Sequence, residues 1–312
     1  SAILEEGGGI LSTVRATRAA TDETLVSLLY SRLSAFLRSG VTTVEVKSGY
    51  GLSVSEELRL CRIIGKDDWP VSVHGTFLGA HAIPMEWRSD REGYVQAILT
   101  EMIPNLGDSV QSIDVYCDRG AFELDESRRI LQAGIDVGLQ GRVHAEQVAF
   151  TGVAELAADM GCLSADHLEQ IDSSGIEAMG AAGMVAVLLP GAQIYLRDPA
   201  PPARALVEAG ARLAVATDFN PGSSPVRDLL ACATLACLNM GLTVEEALLA
   251  ITKNAALALG REKAGWLGEG SCADAVLFEL PPGESEVSAL VQYLGGHRTR
   301  AVIRNGQLAW AA

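Results

Sequence analysis

Short apolar or β-branched runs alternate along this chain with stretches whose apolar residues recur at helical spacing. Seven runs read as strands: residues 41–48, 71–77, 112–117, 141–147, 162–169, 184–190 and 212–218. Between and after them, residues 53–64, 125–138, 152–161, 173–183, 203–211 and 224–241 read as helices, with Ser53 and Ser173 as N-caps. A further long helix is expected over 243–260, ending at Gly260 as its C′ residue. Strand and helix in strict alternation predict a parallel sheet with crossover helices.

Seven βα units of about thirty residues fall one short of the eight that close a barrel. The predicted fold class is therefore α/β, a TIM (β/α)8-type barrel lacking its first strand. An open doubly wound sheet is the alternative, but it calls for a phosphate-binding glycine turn after an early strand. "EEGGGIL" near the start has neither the GxGxxG spacing nor a strand before it. After Gly260 the texture changes to short strands and turns, with "RNGQ" as a hairpin signal. The expected division is a hydrolase-like barrel over 1–262 and, over 263–312, part of a small C-terminal β-sandwich domain.

Composition narrows the partners. Among 312 residues, 24 Lys and Arg stand against 39 Asp and Glu, a net charge of −15. Such a chain repels a phosphate backbone or an anionic membrane, so nucleic acid and membrane are not expected as partners. No apolar run approaches the roughly 20 residues of a bilayer crossing, and no basic leader precedes one. Six scattered cysteines form no CxxC pair and read as reduced thiols. A cytoplasmic location is expected, with a homodimer as the open alternative to a monomer.

In a barrel of parallel strands, the C-terminal strand ends meet at one mouth. His144, His167 and Asp218 end the fourth, fifth and seventh strand runs. Two imidazoles and a carboxylate facing one pocket make a partial shell for one divalent metal ion, Zn or Fe. A single histidine at a strand end is more often a hydrogen-bonded core residue; three chemically matched groups at strand ends weaken that reading. His81 follows the second strand and could reach the same mouth, whereas His74 and His297 read as structural. In "NPGSSP", Gly222 permits close backbone approach while Asn220 and Ser223 offer hydrogen bonds; the same stretch also reads as a turn, with Ser223 or Ser224 capping the next helix. Gln147 either orients a ligand or lies idle in a loop. Tyr50, between glycines past a strand end, belongs at the mouth. Glu45 and Lys47 alternate with valines and are expected inside the barrel, without a catalytic task.

The segments "GGGILSTVRATR", "TTVEVKSGYGL", "TFLGAHAIP", "HAEQ", "SADHLE", "VAVLLPGA" and "ATDFNPGSSP" resemble the amidohydrolase superfamily and, within it, the imidazolonepropionases, in order along nearly the whole chain. The resemblance implies a small-molecule substrate: hydrolysis of the ring of 4-imidazolone-5-propanoate to N-formimino-L-glutamate, in histidine degradation. Carried over by position, His144 and Asp218 match the metal ligands, and His167 matches a histidine beside the metal that steadies an oxyanion. Asp218 is also expected to take a proton from water and pass it to the departing nitrogen. Tyr50, His81, Gln147, Asn220, Gly222 and Ser223 match positions that contact the substrate or its product. The family's first barrel strand carries a His-x-His pair, followed by an arginine for the substrate carboxylate; neither has a counterpart in this sequence. Two other readings stay open. One is a deaminase or other cyclic-amide hydrolase on the same barrel; the other is an inactive fragment that serves a structural role.

Overall fold

The computed structural model describes residues 10–312. The stretch "EEGG" and the glycine that follows it, residues 5–9, lie outside the described residues. Two helices open the described chain, α1 (Ile10–Ala19) and α2 (Asp22–Arg38), the second capped by Thr21, whose side chain accepts from the Thr24 amide.

Seven strands then follow in alternation with helices: β1 (Thr43–Lys47), α3 (Val54–Ile64), β2 (Ser72–Ala80), α4 (Arg91–Ala97), β3 (Ser112–Cys117), α5 (Leu124–Asp136), β4 (Gln140–Ala145), α6 (Val153–Asp159), β5 (Ser164–His167), α7 (Ser173–Ala182), β6 (Val185–Leu188), α8 (Pro190–Leu196), α9 (Ala203–Glu208) and β7 (Arg212–Val215). All seven pair in parallel, and their order across the sheet is their order in the chain. A doubly wound sheet reverses its order at a switch point; this sheet never does. It is a curled half-barrel with helices outside, and among the described residues β1 and β7 are its two edges.

The outer face follows the hydrophobic effect. Ile113, Val115, Val143, Ala145 and Ala165 are fully buried against Ile130, Leu131, Val153 and Ala154 of the surrounding helices. The alternate positions on the same strands are polar, and they line the inner side described below.

Beyond β7 come α10 (Leu229–Met240), α11 (Val244–Ala250) and α12 (Lys253–Ala258). The run over 243–260 is thus two helices, broken where Thr252 takes φ −124°, ψ −97°. Gly260, with φ +64°, ends the second as the sequence led one to expect. Asp228, rather than Ser223 or Ser224, caps α10 by accepting from the Ala231 amide. Ser53 holds the N-cap position of α3 without a side-chain cap bond, and Asp172 rather than Ser173 caps α7.

The last residues form an antiparallel sheet in the order β10 (Gln307–Ala311), β9 (Arg298–Arg304), β8 (Ala275–Glu279), with a four-residue helix α13 (Ala289–Gln292) between β8 and β9. Val302 of β9 packs with Leu33 and Leu37 of α2 and with Trp69 and Val71, a second core below the strands' N-terminal ends.

Candidate active site

The inner side of the half-barrel is an ion network. Lys47 Nζ lies 2.5 Å from Asp114 Oδ2, 3.0 Å from Asp166 Oδ2 and 3.4 Å from Glu45 Oε1. Glu45 also meets Arg142 Nε at 3.4 Å and accepts from Thr76 Oγ1 at 2.6 Å. Arg142 is 1% exposed and donates to Ser164 Oγ. At Asp166 burial outweighs the neighbouring cations and raises the carboxyl, whereas at Glu45 and Lys47 burial is overcome by the mutual charges. Lys47 and Arg142 hold the Glu45 carboxyl down at about 2, and the three carboxylates hold the Lys47 ammonium above its usual range. The expectation that Glu45 and Lys47 lie inside the barrel is met; both are half-buried, and they belong to a cluster larger than a pair.

Above this network stand the strand-end groups. His144 closes β4 beside Tyr116 of β3 and Asp166 of β5. Its Nδ1 lies 3.1 Å from Asp114 Oδ1. Although burial disfavours the imidazolium, that carboxylate raises its pKa, and it fixes which way the ring faces. Strand alternation would turn His167, next to Asp166, away from the inside. Instead His167 and Leu168 take φ +81° and +74°, and the His167 ring comes to 5.5 Å from that of His144. Burial lowers the His167 pKa well below the usual value, and its Nδ1 has no hydrogen-bond partner. Glu169 Oε2, equally unpartnered, is 3.9 Å away, and burial raises the Glu169 carboxyl to about 8.

Asp218 stands three residues past the end of β7, with φ +48°. Enclosure raises its pKa to about 6, against the opposing pull of His144. Among the described residues its carboxylate forms no ion pair; its near neighbour is Ser223 Oγ at 3.5 Å. Among the described residues, five of the eight non-glycine positions with positive φ, Leu52, Glu146, His167, Leu168 and Asp218, fall at or after the C-terminal ends of the strands. Backbone strain of that kind persists where surrounding structure enforces it, and it clusters at functional sites.

The other expected residues ring the same opening. His81 donates from Nδ1 to Gly49 O at 2.9 Å, and burial pulls its pKa down to about 4, so the ring is neutral. Its centroid is 5.3 Å from Tyr50, 6.1 Å from Tyr116 and 6.2 Å from His144. Gln147 is engaged, since Tyr116 Oη donates to its Oε1 at 3.1 Å. The Asn220 side chain folds back on its own loop, accepting from the Gly222 and Ser223 amides at 2.8 Å each and donating to Asp218 O. Ser224 Oγ donates to Thr217 O, tying the loop to the strand end. His74, bonded to Ser112 Oγ, and His297, beside Asp228, lie elsewhere.

Several residues that shape the site carried no assignment from the sequence. Asp118 accepts from the Gln147, Val148 and Ala149 amides at 2.8 to 3.0 Å and so fixes the loop after β4. Asp114 and Asp166 were legible only as polar interruptions in "SIDVYC" and "SADH", at the inward positions of alternating strands.

Ligand atoms of Asp114, His144 and Asp166 lie within 4.8 Å of one another, a candidate metal group. Its two carboxylates already share the Lys47 ammonium, however, whereas Asp218 has no cation. Asp218, sheltered, without an ion pair and within electrostatic reach of His144, makes with that imidazole a pair of donors of the kind a divalent ion takes.

The amidohydrolase family model matches residues 2–309. The chain belongs to the amidohydrolase family. Relatives include the imidazolonepropionase of Shouchella clausii (strain KSM-K16), 48% identical over 284 residues that cover 89% of this chain and 64% of the relative. That of Geobacillus sp. (strain WCH70) is 43% identical, with 98% of this chain and 72% of the relative covered. This family member therefore spans about two thirds of the length of such relatives. Among solved structures, a zinc-bound adenosine deaminase from Xanthomonas campestris superposes with TM-score 0.72 at 19% identity, covering 94% of this chain and 71% of that one. A guanine deaminase from C. acetobutylicum with bound guanine gives TM-score 0.73 at 14% identity, covering 96% and 78%. At those identities the likeness is one of fold.

Proposed function

We propose that this chain is the hydrolytic body of an imidazolonepropionase, which opens the ring of 4-imidazolone-5-propanoate to N-formimino-L-glutamate. What supports the proposal is His144, its ring 5.5 Å from that of His167 and its charge felt by Asp218, in a chain 43 to 48% identical to imidazolonepropionases. Deaminases share the fold, but the relatives of high identity favour the cyclic amide.

His144 and Asp218 would hold one divalent metal ion, zinc or iron, with Asp114 orienting His144 from behind. When bound, such an ion supplies a Lewis acid that makes water nucleophilic near neutral pH. Asp218 would accept a proton from the attacking water and return it to the departing ring nitrogen. His167 would donate to the developing oxyanion. Tyr50, His81 and Gln147 would line the ring on one side, and the loop of Asn220, Gly222 and Ser223 on the other. Among the described residues no helix is long and apolar enough to cross a membrane. All six cysteines are unpaired, which supports a reducing, cytoplasmic location.

The test is hydrolysis of the imidazolone by the purified chain, with metal content measured alongside. Asp218→Ala is expected to cost about a hundredfold or more in kcat. Turnover within a few-fold of the parent removes the proton-transfer role, and a parent inert toward the imidazolone but active on a purine or pyrimidine amide replaces the substrate.

A further inference from the structure

Between β1 and α3 the chain turns through Ser48, Gly49, Tyr50, Gly51 and Leu52, a loop whose inner amides find no strand to pair with. They find one carboxylate instead. Gly49 N lies 3.0 Å from Glu57 Oε2 and 3.2 Å from Oε1, while Gly51 N and Leu52 N lie 2.7 and 2.8 Å from Oε1. Glu57 is 0% exposed, and among the described residues no basic side chain pairs with it. On the carbonyl side of the same turn, Arg18 of α1 donates from Nε to Gly51 O at 2.6 Å and from Nη2 to Leu52 O at 3.0 Å. An acid holds the amides and a base holds the carbonyls.

The turn also has no slack. A Cβ on Gly51 would come within 2.7 Å of the Glu56 and Glu57 backbone, and Leu52 takes φ +50°. What the turn carries is one wall of the site: Gly49 O receives the His81 Nδ1–H, and the Tyr50 ring stands edge-on to His81. A carboxylate sealed from water with only amides as partners is a costly way to hold a loop, because its charge must be met entirely by aligned N–H dipoles. Its return is rigid placement.

We propose that Glu57 is a positioning residue for the reaction above: it sets Tyr50 and His81 against His144, and so governs capture of the imidazolone more than bond cleavage. This rests on the proposed function, and the experiment separates the two. In Glu57→Gln the amide oxygen can take the Oε1 place and keep Gly51 and Leu52, while its NH2 group replaces the nearer acceptor of the Gly49 amide and leaves it only the 3.2 Å contact to Oε1. Glu57→Ala removes every acceptor.

Residue-resolved hydrogen exchange is expected to lose protection at Gly49 alone in the Gln variant, and at Gly49, Gly51 and Leu52 in the Ala variant. The nuclear Overhauser contact between the Tyr50 and His81 rings is expected to persist in Gln and vanish in Ala. KM for the imidazolone is expected to rise about tenfold in Gln and about a hundredfold in Ala, with kcat within about threefold of the parent. If the Ala variant does not fold, Gln alone carries the comparison, since it keeps the acceptor for Gly51 and Leu52. Full protection at Gly49 in Gln, or an unchanged KM once that protection is lost, overturns the inference. A parent chain that does not turn over the imidazolone sinks the functional reading by itself, while exchange and the ring contact still decide whether Glu57 places Tyr50 and His81.

Discussion

Replacing Lys47 by Met tests the ion network beneath the site. The ammonium touches three carboxylates, and Asp114 among them is wholly buried. In the native cluster Glu45, Asp114 and Asp166 face two permanent cations, Lys47 and Arg142. Without Lys47 the three carboxylates face Arg142 alone. Removing one partner of a buried ion pair costs about 3 to 5 kcal/mol; since the Lys47 side chain retains 21% exposure, the lower end, about 3 kcal/mol, is expected. The penalty should depend on pH. In the parent, burial would raise the Asp114 pKa, but His144 and Lys47 hold it below the ordinary range, so Asp114 stabilises the fold above pH about 3.8. Asp166 behaves differently: burial already raises its pKa in the parent, Lys47 is the chief charge opposing that, and with Lys47 gone it rises further. The folded protein then binds protons more tightly than the unfolded chain, and stability recovers as pH falls. Urea denaturation at pH 7.5 and at pH 5 should therefore show the larger loss at pH 7.5. Lys47→Met combined with Asp114→Asn should lose less than the two single variants added together. A loss under about 1 kcal/mol, equal at both pH values, refutes the network as described.

Two further outcomes concern packing and titration away from the mouth. Gly180 of α7 lies so close to the turn after α9 that a Cβ would sit 2.0 Å from the Ala209 carbonyl oxygen; Gly180→Ala is expected to cost about 3 kcal/mol, and an unshifted denaturation midpoint contradicts that contact. Burial holds the His74 imidazole down at about 3, so the folded chain stays neutral where the unfolded chain, with a pKa of about 6.5, takes a proton. Stability should therefore fall as pH drops below about 6.5, by about 2 kcal/mol at pH 5, and His74→Asn should abolish that share; parallel pH curves for parent and variant exclude it.

The alternation of strand and helix was readable because each strand carries apolar or β-branched residues at the positions that face the helices, and seven such runs coincide with seven strands. Boundaries slipped where local chemistry intervened. Asp228 offered a better cap than the serines of "NPGSSP", whose hydroxyls are engaged at the strand end, and Thr252 broke a helix that periodicity alone continues. His144 and Asp218 drew attention because they stand at or just past strand ends, where a parallel barrel opens. That His167 joins them could not be read from alternation, which points its side chain outward; two successive left-handed residues reverse it. Glu57 and Asp118 were invisible for a different reason: each holds the backbone amides of a loop outside its own element, and nothing in composition marks an acid whose partners are backbone.

Glu45 and Lys47 alternate with Val44 and Val46 on a strand of only five residues, where β1 matches Glu45 to His74 and Lys47 to Thr76. Sliding that strand by a single position would turn both valines toward Asp114 and Asp166 and push the ammonium out among the apolar side chains beneath α2. Hydrophobic patterning usually enforces alignment in a sheet; here electrostatics does so too, because every misaligned pairing strands buried acids without their counter-ion. The cluster under the pocket thereby proofreads the assembly of the sheet that supports it.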